Sequence, residues 1–192
     1  MNESDLVKQV QEGDLQAFEQ LFELYKKKAL RTVYLMTGDA VSSEDIVQEV
    51  FVTCYSNIGK LRHPEYFKTW FFKILTRTTW QYMKKERRLV PSEDILEQAD
   101  QEGKKVWMVQ AREREGSQKL YLEILQLEPK LQTTIILYYY SAFSVKEIAK
   151  VMGCLEGTVK SRLYTGRKKL QTSLIEQKSC FIPKGVIGYG KK

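Results

Sequence analysis

A basic, hydrogen-bonding surface is predicted on the second of two short helices near the C-terminal end of the chain. Ser144 and Glu147 have the spacing of a capping box, and Gly153 can end the first helix in the left-handed conformation. In the second helix, Val159 and Leu163 lie on an apolar stripe. The opposite, polar side holds or is flanked by Gly157, Lys160, Ser161, Arg162, Tyr164 and Lys168. Such a helix fits the major groove of DNA, although a solvated basic face on an ordinary helical hairpin has the same composition.

Basic and aromatic residues are interleaved on a long helix predicted to run from Pro64 to about Arg88. The interleaved residues are Lys73, Arg77, Trp80, Gln81 and Lys84. Cations follow phosphates, and aromatic rings stack on bases for about 1–3 kcal/mol each, so this mixture suits single-stranded DNA. Trp80 can instead belong to the core. Its spacing of ten residues from Trp70 is compatible with either the core or the DNA-binding side.

An acidic, amide-bearing face is predicted on a helix that begins at a capping box of Ser42 and Asp45. Its apolar side, which includes Ile46 and Val50, points inward. Its polar side holds Asp45, Gln48, Glu49 and Thr53. This face suits a basic surface on a protein partner, but taken alone it is more often a plain solvated face.

Helical periodicity extends over most of the chain, and alternating strand patterns are nearly absent. Gly13 ends a first helix, Asp14 caps the next, and Gly38 ends that one. The long helix is expected to bury Phe67, Trp70, Phe71, Ile74, Leu75 and Thr78. A helix from Pro129 to about Tyr140 is expected to carry Leu131, Ile135 and Tyr138 or Tyr139 inward. The pattern predicts an all-α fold.

Two helical domains are predicted, over residues 1–89 and 117–177. Residues 90–116 between them begin with an acidic stretch without basic residues, which indicates a flexible acidic linker. An apolar patch at Trp107 either docks on a partner or begins the next helix. Residues 178–192 are rich in glycine and lysine and are expected to form a disordered tail.

The composition favours a polyanionic partner without requiring one. The 192 residues contain 31 Lys and Arg against 24 Asp and Glu, a formal net charge of +7. Three cysteines and one histidine lack metal-ligand spacing, so no metal or cofactor is expected, and reduced thiols indicate a cytoplasmic location. The polar N-terminus is no signal peptide, and no apolar run is long enough for membrane insertion.

Together these features resemble the extracytoplasmic-function (ECF, group IV) sigma factors of bacterial RNA polymerase, in the sigma-70 family. Residues 43–51 are similar to the helix with which the family binds core polymerase. Residues 67–75 are similar to its helix for the promoter minus-ten element, and residues 157–162 to its minus-thirty-five recognition helix. The resemblance identifies residues 1–89 with region 2 and residues 117–177 with region 4.

The resemblance implies roles for the candidate residues and a set of partners. Core-polymerase binding falls to Asp45, Gln48, Glu49 and Thr53. Minus-ten binding falls to Leu61, Arg62, His63, Lys73, Arg77, Trp80, Gln81 and Lys84, of which the first three lie where the family captures a flipped-out base. Minus-thirty-five binding falls to Gly157, Thr158, Lys160, Ser161, Arg162, Tyr164 and Lys168. The implied partners are the β′ clamp helices and β flap of the polymerase, duplex and melted promoter DNA, and an anti-sigma factor in a stress or envelope response.

Four positions depart from the family pattern. Many members carry Asn where this chain has Arg77, and a guanidinium only donates hydrogen bonds, so the minus-ten preference is expected to be atypical. A basic residue is common at the position of Thr165, Ala at Gly166 and Pro at Leu155. Fewer basic residues in this segment predict weaker binding of the minus-thirty-five element.

Two other classes of protein compete with this interpretation. A stand-alone helix-turn-helix regulator would bind its operator without polymerase, but it has no use for the aromatic helix from residues 67–82. An enzyme acting on nucleic acid would need a cluster of carboxylates or a nucleophile with a base. His63 lies in a loop and the acidic linker offers no rigid scaffold, so the chain is expected not to be an enzyme.

Overall fold

The computed structural model describes residues 2–89 and 115–180, with side chains described for residues 2–86 and 118–175. Every regular element of this part is helical, as predicted. The helices are α1 Glu3–Gln11, α2 Leu15–Thr37, α3 Ala40–Asn57, α4 Phe67–Leu89, α5 Glu115–Leu125, α6 Pro129–Ile135, α7 Val145–Met152 and α8 Glu156–Cys180. We call α1–α4 the N-terminal unit and α5–α8 the C-terminal unit. The predicted linker, its Trp107 patch and the tail lie almost entirely outside the described residues.

Local capping signals fix both ends of α2 and the start of α3. The carboxylate of Asp14 accepts hydrogen bonds from the first turn of α2, and Gly38 ends that helix with φ of +82°. The predicted capping box at Ser42 is wrong, because Asp39 caps α3 by accepting from the backbone N–H of Ser42 at 2.8 Å. The Ser42 hydroxyl instead hydrogen-bonds the Tyr82 hydroxyl of α4 at 2.6 Å. Ser42 therefore joins α3 to α4 and does not begin a helix.

The core of the N-terminal unit is aromatic. The ring of Tyr25 lies 5.3 Å from that of Phe67 and 5.1 Å from that of Phe71, which in turn lies 5.0 Å from Phe51. Burial of Phe67, Phe71 and Leu75 confirms the predicted inner face of α4. These contacts hold α4 rigidly against α2 and α3.

The predicted inner face of α4 is also incomplete. Trp70, Ile74 and Thr78 are only half-buried. The fully buried side extends instead to Phe72, Thr76 and Thr79. The reason is that the C-terminal unit covers this side of α4, with the Phe143 ring 4.7 Å from Phe72.

Helix α6 is the centre of the C-terminal unit, and every residue from 131 to its end at 135 is buried. It contacts α8 on one side and α2 on the other, which explains why it lacks a polar face. The chain continues from α6 as a π-helical turn, Ile136–Tyr140. This turn points Ile136 and Leu137 inward and leaves Tyr138 and Tyr139 exposed, so the prediction that one of these tyrosines is buried is wrong.

The predicted helix-turn-helix is present in α7 and α8. Ser144 and Glu147 form both halves of the capping box, and Gly153 ends α7 with φ of +61°. Val159 and Leu163 are buried on the inner side of α8. The local signals in this segment act within one helical turn, and the structure confirms each of them.

Candidate nucleic-acid and protein interfaces

The outward side of α3 is acidic but also partly apolar. Asp45, Gln48 and Glu49 are exposed as predicted, whereas Thr53 is half-buried at the edge of this surface. Two large side chains that sequence reasoning missed share it: Val52 is 68% exposed and Tyr55 is 44% exposed. Val52 and Tyr55 follow Asp45 by seven and ten residues, about two and three helical turns, and this spacing could have placed them on the same side of α3.

This mixture of groups indicates a protein partner. Aromatic side chains are enriched in protein–protein interfaces, and charged side chains lie mainly at their polar rims. The Tyr55 ring is held edge-on against Phe18 of α2 at 4.8 Å, so it is presented in a fixed orientation. On the inner side of α3, burial raises the pKa of the Cys54 thiol to about 12, which makes it an unreactive packing group.

Four of the predicted minus-ten residues form one exposed face of α4. This face consists of Lys73, Arg77, Gln81 and Lys84. Among the residues whose side chains are described, no carboxylate lies within ion-pair distance of its three cations. The positive charge of the face is thus available to a polyanion.

Trp80 lies at the edge of this face and belongs partly to the contact between the units. Its ring is half-buried, and its Nε1 donates a hydrogen bond to Thr133 Oγ1 of α6 at 3.0 Å. The sequence left open whether Trp80 lies in the core or on the DNA-binding side. In the structure Trp80 lies at the boundary between the exposed α4 face and the buried contact with α6.

The loop from Leu61 to His63 is attached to α1. Gln11 Nε2 donates to the carbonyl oxygens of Ile58 at 2.9 Å and Leu61 at 2.8 Å. Arg62 and His63 are exposed beside the N-terminus of α4, while Leu61 is half-buried. Gln11 was missed from the sequence because its partners are backbone groups about 50 residues away.

The front of α8 is exposed over about three turns. Gly157, Lys160, Ser161, Tyr164 and Lys168 face solvent, with Tyr164 65% exposed, whereas Thr158 and Arg162 are half-buried. The guanidinium of Arg162 turns back to the helix-turn-helix corner, 3.6 Å from Cys154 Sγ and 3.9 Å from Met152 Sδ. Arg162 therefore braces the corner in this conformation, beside the surface that Lys160 and Ser161 form.

Gly166 allows α8 to approach α6 closely. A Cβ atom at this position would lie 3.0 Å from Ile135 Cγ1 and 3.1 Å from its Cδ1, and Ile135 is itself fully buried. The family resemblance implies alanine at this position. This chain has glycine there, and the side chain of Ile135 on α6 fills the space that a methyl group would occupy. This contact sets the position of the exposed front of α8.

We expect Gly166→Ala to lower stability by about 1 kcal/mol, because overpacking costs about 1–3 kcal/mol and exceeds the helix-propensity gain of about 1 kcal/mol. For a chain of this size the midpoint of thermal unfolding, followed by circular dichroism, should fall by about 2–4 °C. Gly157→Ala is the matched control, since a Cβ atom there has no neighbour within 4 Å. Equal melting temperatures for the two variants would contradict the close contact.

Comparison with known proteins decides the family. Residues 21–89 match the model of sigma-70 region 2, and residues 117–170 match that of sigma-70 region 4. The ECF RNA polymerase sigma factor SigW of Bacillus subtilis is 31% identical over 179 residues, which cover 88% of this chain and 94% of SigW. The chain belongs to the extracytoplasmic-function sigma factors. The ECF sigma-E factor of Haemophilus influenzae, 30% identical over 91% of this chain and 96% of its own length, supports the same assignment.

This ECF sigma factor accordingly binds core RNA polymerase and directs it to promoters in transcription initiation. Its region 2 corresponds to α2–α4 and its region 4 to α5–α8. Two solved structures share its fold. CnrH in complex with the cytosolic domain of CnrY has a TM-score of 0.69 at 19% identity, covering 91% of this chain and 97% of that one. RpoE of Bartonella quintana with the anti-sigma factor NepR has a TM-score of 0.64 at 23% identity, covering 83% and 98%.

No helix among the described residues of this sigma factor is long and apolar enough to cross a membrane.

Proposed function

We propose that the three exposed faces of this sigma factor, on α3, α4 and α8, each bind a different partner. The α3 face binds the β′ clamp helices of core polymerase. The α4 face, with the loop from Leu61 to His63, holds the melted minus-ten strand, and the front of α8 binds the duplex minus-thirty-five element. The observation that carries the proposal is the presence of two separate cationic helix faces, on α4 and α8, each backed by its own buried side. A stand-alone helix-turn-helix regulator needs only the second of these.

Promoter opening on these faces requires no covalent chemistry by the sigma factor. A face that binds single-stranded DNA better than duplex shifts the equilibrium towards the melted state by its difference in affinity. Lys73, Arg77 and Lys84 supply charge for phosphates, and Gln81 supplies an amide for base edges. The family resemblance implies Asn at the position of Arg77, and a guanidinium can only donate hydrogen bonds, so we propose that this chain prefers minus-ten bases with exposed acceptors. The protein then acts as a specificity subunit and not as an enzyme.

The remaining partners follow from the family and the fold. We propose that region 4 also contacts the β flap, so that both units attach to polymerase. RpoE, which shares the fold, was solved with an anti-sigma factor bound. We propose that an anti-sigma factor likewise restrains this chain, in the cytoplasm, until a stress or envelope signal releases it.

Run-off transcription with purified bacterial core polymerase tests the proposal. The templates carry randomised minus-ten and minus-thirty-five segments, and transcripts are sequenced with and without the protein. We expect transcripts that depend on the protein and share both elements. Tight binding to one duplex without polymerase, together with no dependent transcripts, would favour the regulator instead.

A further inference from the structure

The loop that carries Arg62 and His63 is anchored at its start by one side chain of α1. Gln11 is half-buried, and its Nε2 donates hydrogen bonds to the carbonyl oxygens of Ile58 at 2.9 Å and Leu61 at 2.8 Å. An amide nitrogen carries two hydrogens, so this one side chain satisfies both carbonyl groups at once. The two hydrogen bonds therefore hold the backbone directly before Arg62.

The same helix also supports the far end of the loop. Helix α1 packs against the short 3₁₀ turns Ile58–Lys60 and Pro64–Tyr66, which flank the loop. Near the start of α1, Oε2 of Glu3 accepts a hydrogen bond from the Tyr25 hydroxyl at 2.6 Å. The ring of Tyr25 lies 5.3 Å from that of Phe67, the first residue of α4. Helix α1 is thus tied to the chain before the loop and, through Tyr25, to the chain after it.

The side chains of the loop remain open to a ligand. Arg62 and His63 are exposed, whereas Leu61 is half-buried against the core. Local contacts orient the imidazole of His63, because its Nδ1 lies 3.2 Å from Oε1 of Glu65 and its ring lies 5.8 Å from that of Tyr66. The loop therefore has one side fixed to the protein and one side available for binding.

Gln11 does more than attach α1 to the fold. Burial of Leu6, Val7 and Val10 already attaches this helix. Apolar burial is non-directional, whereas hydrogen bonds fix the direction and the distance of the groups that they join. The amide of Gln11 directs both of its bonds at the loop, from a helix that precedes the segment matching sigma-70 region 2.

We propose that Gln11 is a positioning residue for the minus-ten element, and that α1 holds the loop from Leu61 to His63 in the shape that captures a base. This inference rests on the proposed function, which gives the loop its contact with the melted strand. Gln11 acts through the loop backbone and needs no contact with DNA. Binding groups select well only when they are held within about 0.5 Å of the productive geometry. A loop released from α1 therefore discriminates less well among bases.

Hydrogen–deuterium exchange on the whole chain tests the anchoring itself. Gln11→Met keeps the length of the side chain but donates no hydrogen bond. The amides of Leu61 and Tyr66, which hydrogen-bond to Ile58 and His63 within this segment, should exchange at least about five-fold faster, while α3 is unchanged. Gln20→Met is the matched control, since it makes the same change at an exposed position on α2. Equal exchange in the two variants would overturn the anchoring.

Transcription tests the positioning role. Core polymerase with each variant is assayed on promoters in which the minus-ten bases are changed one at a time. The double variant Arg62→Ala, His63→Ala defines the captured base as the position at which its discrimination falls. At that base alone, Gln11→Met should lower discrimination at least about five-fold relative to Gln20→Met. Gln11→Glu, which has nearly the same shape and no donor, should behave alike, and Gln11→Lys, which keeps a donor, should recover part of the loss.

A role confined to stability predicts a different pattern. It would lower output equally from every promoter, and circular dichroism would show a less stable protein. That pattern, or wild-type discrimination by both Gln11→Met and Gln11→Glu, would overturn the positioning role while the loop double variant still loses discrimination. If the double variant itself discriminates as the wild type does, the proposed contact of the loop with the melted strand fails, and this inference fails with it.

Discussion

Reversing two charges on α3, with Asp45→Lys and Glu49→Lys, is expected to abolish co-purification of the protein with core RNA polymerase. Both carboxylates are exposed on a helix whose other side is buried, so the fold does not depend on them. Loss of desolvated charge pairs at an interface costs about 2–5 kcal/mol. That corresponds to an affinity about 30- to 4,000-fold weaker, which a pull-down on immobilised core polymerase detects readily.

A matched variant with the same change in net charge separates this effect from general electrostatics. Glu19 and Glu23 are exposed on α2, on a side that does not carry Phe18 and its contact with Tyr55. Their replacement by lysine should leave binding near the wild-type level. Wild-type retention of the α3 variant, with a native circular dichroism spectrum, would remove the α3 face from the polymerase interface.

Replacing Lys160 and Ser161 by alanine should reduce transcription mainly from promoters that depend on the minus-thirty-five element. Both side chains are exposed on the front of α8. If Lys160 reads a guanine edge, discrimination at that base should fall by about 1–3 kcal/mol, or about 5- to 150-fold. If it contacts phosphate, binding should weaken uniformly across sequences and the dependence of log affinity on log salt should become less steep by about one.

The measurement is run-off transcription from promoter pairs that differ only in the minus-thirty-five element, repeated over a series of salt concentrations. The control is Lys130→Ala, which removes one exposed positive charge from the start of α6, outside the front of α8. It should change neither the discrimination between the paired promoters nor the salt dependence. Equal output of the double variant and wild type on an element-dependent promoter would contradict a role for these two residues.

Signals that act within one or two helical turns could be read from the sequence alone. Ser144, Glu147 and Gly153 define the helix-turn-helix because capping and chain reversal involve residues only three or four positions apart. The same is true of Asp14 and Gly38 at the ends of α2. The all-α class, the family and the exposed faces of α3, α4 and α8 follow from such local patterns.

Features that depend on contacts between distant segments could not be read in this way. The burial of Phe72 and the half-burial of Trp80 are decided by Phe143 and Thr133, about 50 to 70 residues further along the chain. Helical periodicity identifies an apolar side of α4 but does not say how many partners cover it. For the same reason the sequence predicts a cap at Ser42, whose partner in the structure is Tyr82. The π-helical turn after α6 likewise exposes both Tyr138 and Tyr139, one of which the sequence predicts to be buried.

The arrangement of the two units relative to each other was likewise decided only by the tertiary structure. The sequence indicated two helical groups and a long connection, which are compatible with any separation that the connection can span. The contact between the units involves side chains that share no local pattern: Lys28 on α2, Lys68 on α4, Phe143 before α7 and the carboxylate of Glu147 in the capping box. None of these residues stands in a sequence pattern that points to the others, so only the tertiary structure reveals the contact.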